Sequence, residues 1–156
     1  MMVKNMSFQN SFIRSSSLNN ISENKLNHQF SILDKLDKEA QVVFRTAWAR
    51  YADSNIPIEY WNKSMEKDFI GDKSLLELYK EYTKDIKEAF ISGKSYCLAG
   101  AHGLGKTLYG TCVLKKAADK GYTCLYTTLS DVVHALTKAP QNEVYLARKE
   151  LITCDY

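Results

Sequence analysis

What the chain lacks narrows its class before any motif is read. No apolar run approaches the roughly 18 residues that a membrane-spanning helix needs, so a membrane protein is not expected. Charge of one sign is not in excess: the 156 residues carry a formal +3, and lysines alternate with acids along the helical stretches. So mild a balance does not by itself identify a nucleic-acid binder. The four cysteines, Cys97, Cys112, Cys124 and Cys154, include no C-x-x-C pair, and neither a zinc site nor a disulfide framework is suggested. Cys97 and Cys124 sit in apolar runs and are expected to be buried, reduced thiols in a cytoplasmic setting. No internal repeat is visible. The Ser- and Asn-rich start has one arginine and neither an apolar core nor a cleavage site, which fits a tail better than a targeting peptide.

The length suits one ordinary domain, or a small domain with a helical extension. Residues 1–30 are polar with scattered hydrophobes of no period, and read as a disordered or partner-ordered arm. Residues 31–92 read as a helical N-terminal region and connector, and residues 93–156 as the front part of an α/β domain. Between Asp34 and Ala52, the positions Leu36, Ala40, Val43, Phe44, Ala47, Trp48 and Tyr51 recur at helical steps and form one stripe to be buried. Pro57 ends that helix near Asn55. A second helix carries Leu75, Tyr79, Tyr82, Ile86 and Phe90 in register and stops at Ser92 and Gly93.

The rhythm then changes. Tyr96 to Ala99 reads as a short strand, and a helix runs from Lys106 to Lys120, closed by Gly121. Tyr122 to Leu129 reads as a second strand, buried on both faces of a parallel sheet. Ser130 is expected to cap a helix to Lys138, and Asn142 another to Lys149. Strand, loop, helix and strand in this order imply a right-handed crossover and a parallel α/β sheet.

Between the first strand and its helix stands GAHGLGKT, which satisfies G-x-x-x-x-G-K-[ST] at Gly100, Gly105, Lys106 and Thr107. Glycines let consecutive N–H groups converge on an anion, and the helix that follows adds its positive end. The segment Gly100, Ala101, His102, Gly103, Leu104, Gly105, Lys106, Thr107 and Leu108 is therefore expected to hold the phosphates of ATP. Lys106 reaches the β- and γ-phosphates, and the Thr107 hydroxyl ligates Mg2+. The plain alternative is a glycine-rich turn followed by a lysine. His102 reads as a solvent-facing loop position rather than a catalytic base. Asp131 follows the second strand, where a magnesium-handling acid would stand, but its place suits helix capping better; Asp155 is the other acid near a strand end. The chain has only four arginines, none near the loop, which leaves no arginine-rich lid for a small-molecule kinase.

From about Ala52 onward the sequence resembles the DnaC/IstB-like helicase-loader ATPases, a branch of the AAA+ superfamily. The resemblance is carried by YADSNIPIEYW (Tyr51 to Trp61), the GAHGLGKT loop, the Gly121-Tyr122 turn into CLYTTLSDVVHAL, and KELITCDY at the end. It implies a P-loop parallel sheet, ATP and Mg2+ as cofactors, and a part in DNA replication. The implied partners are the replicative helicase, single-stranded DNA and further copies of the chain. It places Asn55, Ile56, Pro57, Tyr60 and Trp61 near the nucleotide base, against the plain reading of a connector packed on its core. It also offers the stripe around Phe44 and Trp48 as a gripping surface, against burial in its own domain. In that family an acidic strand follows the segment resembling LITCDY, so the chain reads as truncated before it: phosphate binding is expected and hydrolysis is not. Two rival readings are an IstB-like transposition helper and a non-catalytic nucleotide-binding module.

Overall fold

The computed structural model describes residues 23–138 and 140–156. In order these form α1 (Glu23–Leu33), α2 (Lys38–Asp53), a 3₁₀ turn (Ile58–Tyr60), α3 (Met65–Asp68), α4 (Lys73–Lys84), α5 (Ile86–Ile91), α6 (Lys106–Asp119), α7 (Leu129–Thr137) and α8 (Gln141–Thr153). The first part of the expected arm lies outside the described residues, as does the possible targeting segment. Its last part, from Glu23, is helical.

The expected parallel α/β sheet is not formed: among the described residues there is no strand. The reason lies in the backbone. At 96–99 the side chains do alternate, with Tyr96 and Leu98 half-buried and Cys97 and Ala99 exposed. Yet these residues make no ladder bond with any described neighbour, and an extended segment becomes a strand only when its N–H and C=O groups are paired. The 122–128 segment is better held. Leu125 N donates to Tyr156 O (2.9 Å), Asp155 N and Tyr156 N donate to Thr123 O (2.8 and 3.2 Å), and Tyr126 N donates to Ser54 O (2.8 Å). Those bonds pin it to a three-residue segment on one side and a helix end on the other, which is too short to be a sheet.

Helices dominate because the sequence caps them. Asp37 accepts from Ala40 N, Ser64 from Lys67 N, Asp72 from Ser74 N, Asp85 from Glu88 N and Thr128 from Asp131 N. Each satisfies a backbone donor that the helix leaves open, at about 1 kcal/mol per cap. Asp85 also breaks the single helix expected through Leu75 and Phe90 into α4 and α5. Thr128 and Pro140, not Ser130 and Asn142, stand at the N-caps of α7 and α8.

The main core gathers around α6, whose Tyr109, Cys112, Val113, Ala117 and Ala118 are buried among Trp48 and Tyr51 of α2 and Tyr79 and Tyr82 of α4. A helix as short as α3 has no stability of its own; it holds because Met65 is fully buried in this core, a contribution of about 2 kcal/mol. The stripe expected on α2 is only half inside. Trp48, Tyr51 and Ala52 are buried, whereas Val43 is 66% exposed and Phe44 39%. A smaller cluster of Leu125, Ala135 and Ala147 joins α7 to α8.

None of the four cysteines forms a disulfide, but Cys97 is exposed, contrary to the expectation from its apolar run, while Cys112 and Cys124 are buried. Iodoacetamide on the native chain is therefore expected to modify Cys97 well before Cys112 or Cys124. Equal labelling of all three in peptide mass spectra would contradict this fold.

Candidate functional site

The glycine-rich loop joins the exposed 96–99 segment to α6. Gly103 (φ +81°) and Gly105 (φ +79°) take left-handed backbone, which side-chain-bearing residues rarely adopt. Gly105 is the N-cap of α6 and supplies no side-chain cap, so the first N–H groups of this 14-residue helix are left to an outside acceptor. Ala101, His102, Gly103, Leu104 and Thr107 are exposed, and Gly105, Lys106 and Leu108 half-buried. The structure thus brings the nine expected residues into one surface loop at a helix N-terminus.

Lys106 is turned back on the loop. Its Nζ donates to Gly100 O at 2.8 Å and Ala101 O at 2.6 Å, which holds the ammonium at the loop's mouth without a carboxylate partner. Two neutral carbonyls hold an ammonium less strongly than an anion does. The Thr107 side chain is exposed on the first turn beside it. The residues therefore fit a polyphosphate: open amides, a helix's positive end, an ammonium held by neutral carbonyls and an exposed hydroxyl.

The acids near strand ends are occupied. Asp131 belongs to the cap of α7, where Thr128 Oγ1 donates to its carboxylate at 2.6 Å. Asp155 accepts from Thr123 N (2.9 Å) and Thr123 Oγ1 (2.7 Å). Among the described residues no three His, Cys, Asp or Glu side chains are grouped to hold a metal ion.

The connector is organised around a residue that sequence reasoning missed. Lys115, 8% exposed on α6, donates from Nζ to Tyr60 O (2.8 Å), Trp61 O (3.3 Å) and Lys63 O, and lies over the Tyr51 ring at 5.7 Å. Burial pulls its pKa below the ordinary lysine value. The one available signal was a lysine among apolar residues at helical spacing from Thr111 and Cys112. Trp61 Nε1 donates to Ile56 O at 2.9 Å, and Asn55, at φ +57°, ends α2 and donates from Nδ2 to Tyr126 O at 2.8 Å. Thus Asn55, Ile56, Tyr60 and Trp61 pack onto their own core. The Lys115 clasp lies nine residues down α6 from Lys106, roughly 14 Å along the axis.

Aromatic burial gives the fold a defined alkaline limit. Tyr109 Oη is buried with no hydrogen-bond partner among the described residues, and burial pushes its pKa up to about 12. Tyr156 is likewise pushed up to about 12, mainly by burial. Burial also raises Tyr51, with Asp119 adding to the effect. A folded-state pKa above the unfolded value near 10 means that the folded chain keeps its proton longer. The associated stability is fully present below pH 10 and is lost as pH rises toward 12. Lys115, shifted downward, acts in the opposite sense but is a single group. Denaturant midpoints are accordingly expected to fall between pH 10 and 12, with tyrosinate absorbance appearing together with unfolding. Smooth tyrosine ionisation in a chain that stays folded would refute this.

In comparison with known proteins, the chain is similar to Lon protease 2 of Myxococcus xanthus, at 32% identity over 75 residues. Those residues are 47% of this chain but 9% of that protein, so the chain spans under a tenth of the curated relative it matches. No protein-family model matches the chain, and no solved structure matches it.

Proposed function

We propose that the chain is an ATP-binding protein of the helicase-loader type, acting in DNA replication in the cytoplasm through ATP-dependent contact with a replicative helicase. In this reading Gly100 to Leu108 enclose the triphosphate, Lys106 meets the β- and γ-phosphates, and Thr107 contributes its hydroxyl to Mg2+. Bound Mg2+ would screen the phosphate charge. The observation that carries the reading is the uncapped N-terminus of α6 behind two left-handed glycines, with the Lys106 ammonium held at its mouth.

Support for the wider role is narrower: the NIPIEYW connector and the segments around CLYTTLSDVV and KELITCDY, which suggest the same family. No helix among the described residues is long and apolar enough to cross a membrane. Exposed Val42, Val43 and Phe44 on α2 leave apolar surface available to a partner. The proposal stops at binding. Asp131 is engaged at the cap of α7 and Asp155 is bonded to Thr123, which favours a nucleotide-dependent interaction module over an enzyme. The partial similarity to a protease covers too little of that protein to carry proteolysis over.

The wider role is tested by co-sedimentation of the chain with a replicative helicase from the same source, with and without ATP and Mg2+. A complex strengthened by ATP is expected; no association under either condition would remove the loader role.

A further inference from the structure

The α3–α4 connector touches the glycine-rich loop through one side chain. A Cβ built on Gly105 would lie 2.5 Å from Cε2 and 2.7 Å from Cδ2 of Phe69, and one built on Gly71 would lie 2.5 Å from Cζ and 2.9 Å from Cε2 of the same ring. Carbon atoms do not approach that closely without one of them moving. The Phe69 ring is therefore wedged between two bare stretches of backbone, one its own neighbour and the other the N-cap of α6.

The two glycines differ in a useful way. Gly105 is left-handed, so a side chain there is strained whatever the ring does. Gly71 has no such backbone restriction, and the three atoms nearest a methyl group there all belong to the ring. Because Cε2 and Cζ of the ring face both glycines, a ring displaced by a methyl group at Gly71 cannot keep its present seat against Gly105.

We propose that Phe69 is a positioning residue for the phosphate loop: its ring buttresses Gly105 and makes the shape of the loop depend on the α3–α4 connector. The side chain touches no phosphate in this arrangement. It acts through Gly105, whose left-handed backbone starts α6 and aims the open N–H groups outward. The consequence for nucleotide rests on the function proposed above, but the coupling between connector and loop does not.

Amide hydrogen exchange on the full chain, without nucleotide, tests the coupling in wild type, Phe69→Ala, Gly71→Ala and the double variant. Exchange at Tyr109, whose N–H donates to Gly105 O at 2.8 Å, is expected to accelerate about tenfold in each single variant, because local opening becomes easier there. The body of α6 around 111–118 should be unchanged, and the double variant should exchange no faster than Phe69→Ala, because the methyl group has no ring left to strike. Helix content by circular dichroism checks that each variant folds; if Phe69→Ala does not, Gly71→Ala alone carries the test. Exchange of the Tyr109 amide at the wild-type rate in Gly71→Ala, or simple addition of the two effects, would overturn the proposal. ATP titrations of the same variants give a separate outcome: about tenfold weaker binding is expected in both single variants. Absence of ATP binding by wild type would sink the functional reading while leaving the exchange result to decide the buttress.

Discussion

Lys106→Ala is expected to weaken ATP binding, measured with Mg2+ by calorimetry, at least about a hundredfold, since two charge-assisted hydrogen bonds to phosphate are each worth roughly 1.5–3 kcal/mol. The same change should barely affect the fold. Among the described residues the Lys106 ammonium bonds only to Gly100 O and Ala101 O at the exposed end of α6, and both carbonyls stay within reach of water when it goes. Melting temperature should therefore move by a few degrees at most, which separates a lost ligand contact from a lost structure. Lys106→Arg is a useful companion. A planar fork does not replace a point charge in a tight loop, so little affinity should return. Unchanged affinity in Lys106→Ala would refute the assignment of the loop.

Lys115→Met is expected to do the reverse: destabilise the fold by about 3 kcal/mol with no direct effect on the loop. Methionine fills much of the same buried volume, so what disappears is the ammonium. Three carbonyls, those of Tyr60, Trp61 and Lys63, then lose a shared charged donor, although Tyr60 O keeps the Lys63 N–H at 3.1 Å. Against this stands the relief of desolvating a charge, which the lowered pKa of Lys115 expresses. The lost bonds outweigh one relieved cation because a hydrogen bond to a charged group is worth roughly 1.5–3 kcal/mol. At this chain length the loss corresponds to roughly 8 °C in melting temperature. A neutral or stabilised Lys115→Met protein would show that the ammonium burdens the core rather than organises it.

These two lysines also mark how far the sequence could be read. The placement of Lys106 was legible because it depends on local spacing: glycines and a lysine at fixed offsets before a helix, and α6 begins at the expected residue. The helices through Trp48 and Tyr79 were legible for the same reason, since their apolar period is a local property. Lys115 was not, because its partners lie more than 50 residues earlier and no local pattern announces three converging carbonyls.

The sheet failed at a different link. At 96–99 and 122–128 the side-chain pattern suits a strand, but a strand is defined by its backbone neighbour, which a side-chain pattern does not reveal. Cys97 followed from the same error: without a covering layer, the outer face of its segment is wet. On α2 the stripe was real, yet Val43 and Phe44 extend past the edge of what α6 and the 3₁₀ turn cover. Phe69 escaped notice because nothing in its neighbourhood of sequence signals a contact with Gly105.

The most direct measurement of the central claim is a two-dimensional amide NMR titration of the full chain with ATP and Mg2+. The account predicts saturable shifts concentrated at the N–H groups of 103–108, with the connector at 55–61 little changed and the Lys106→Ala chain silent. Shifts centred elsewhere, or none at saturating nucleotide, would contradict it.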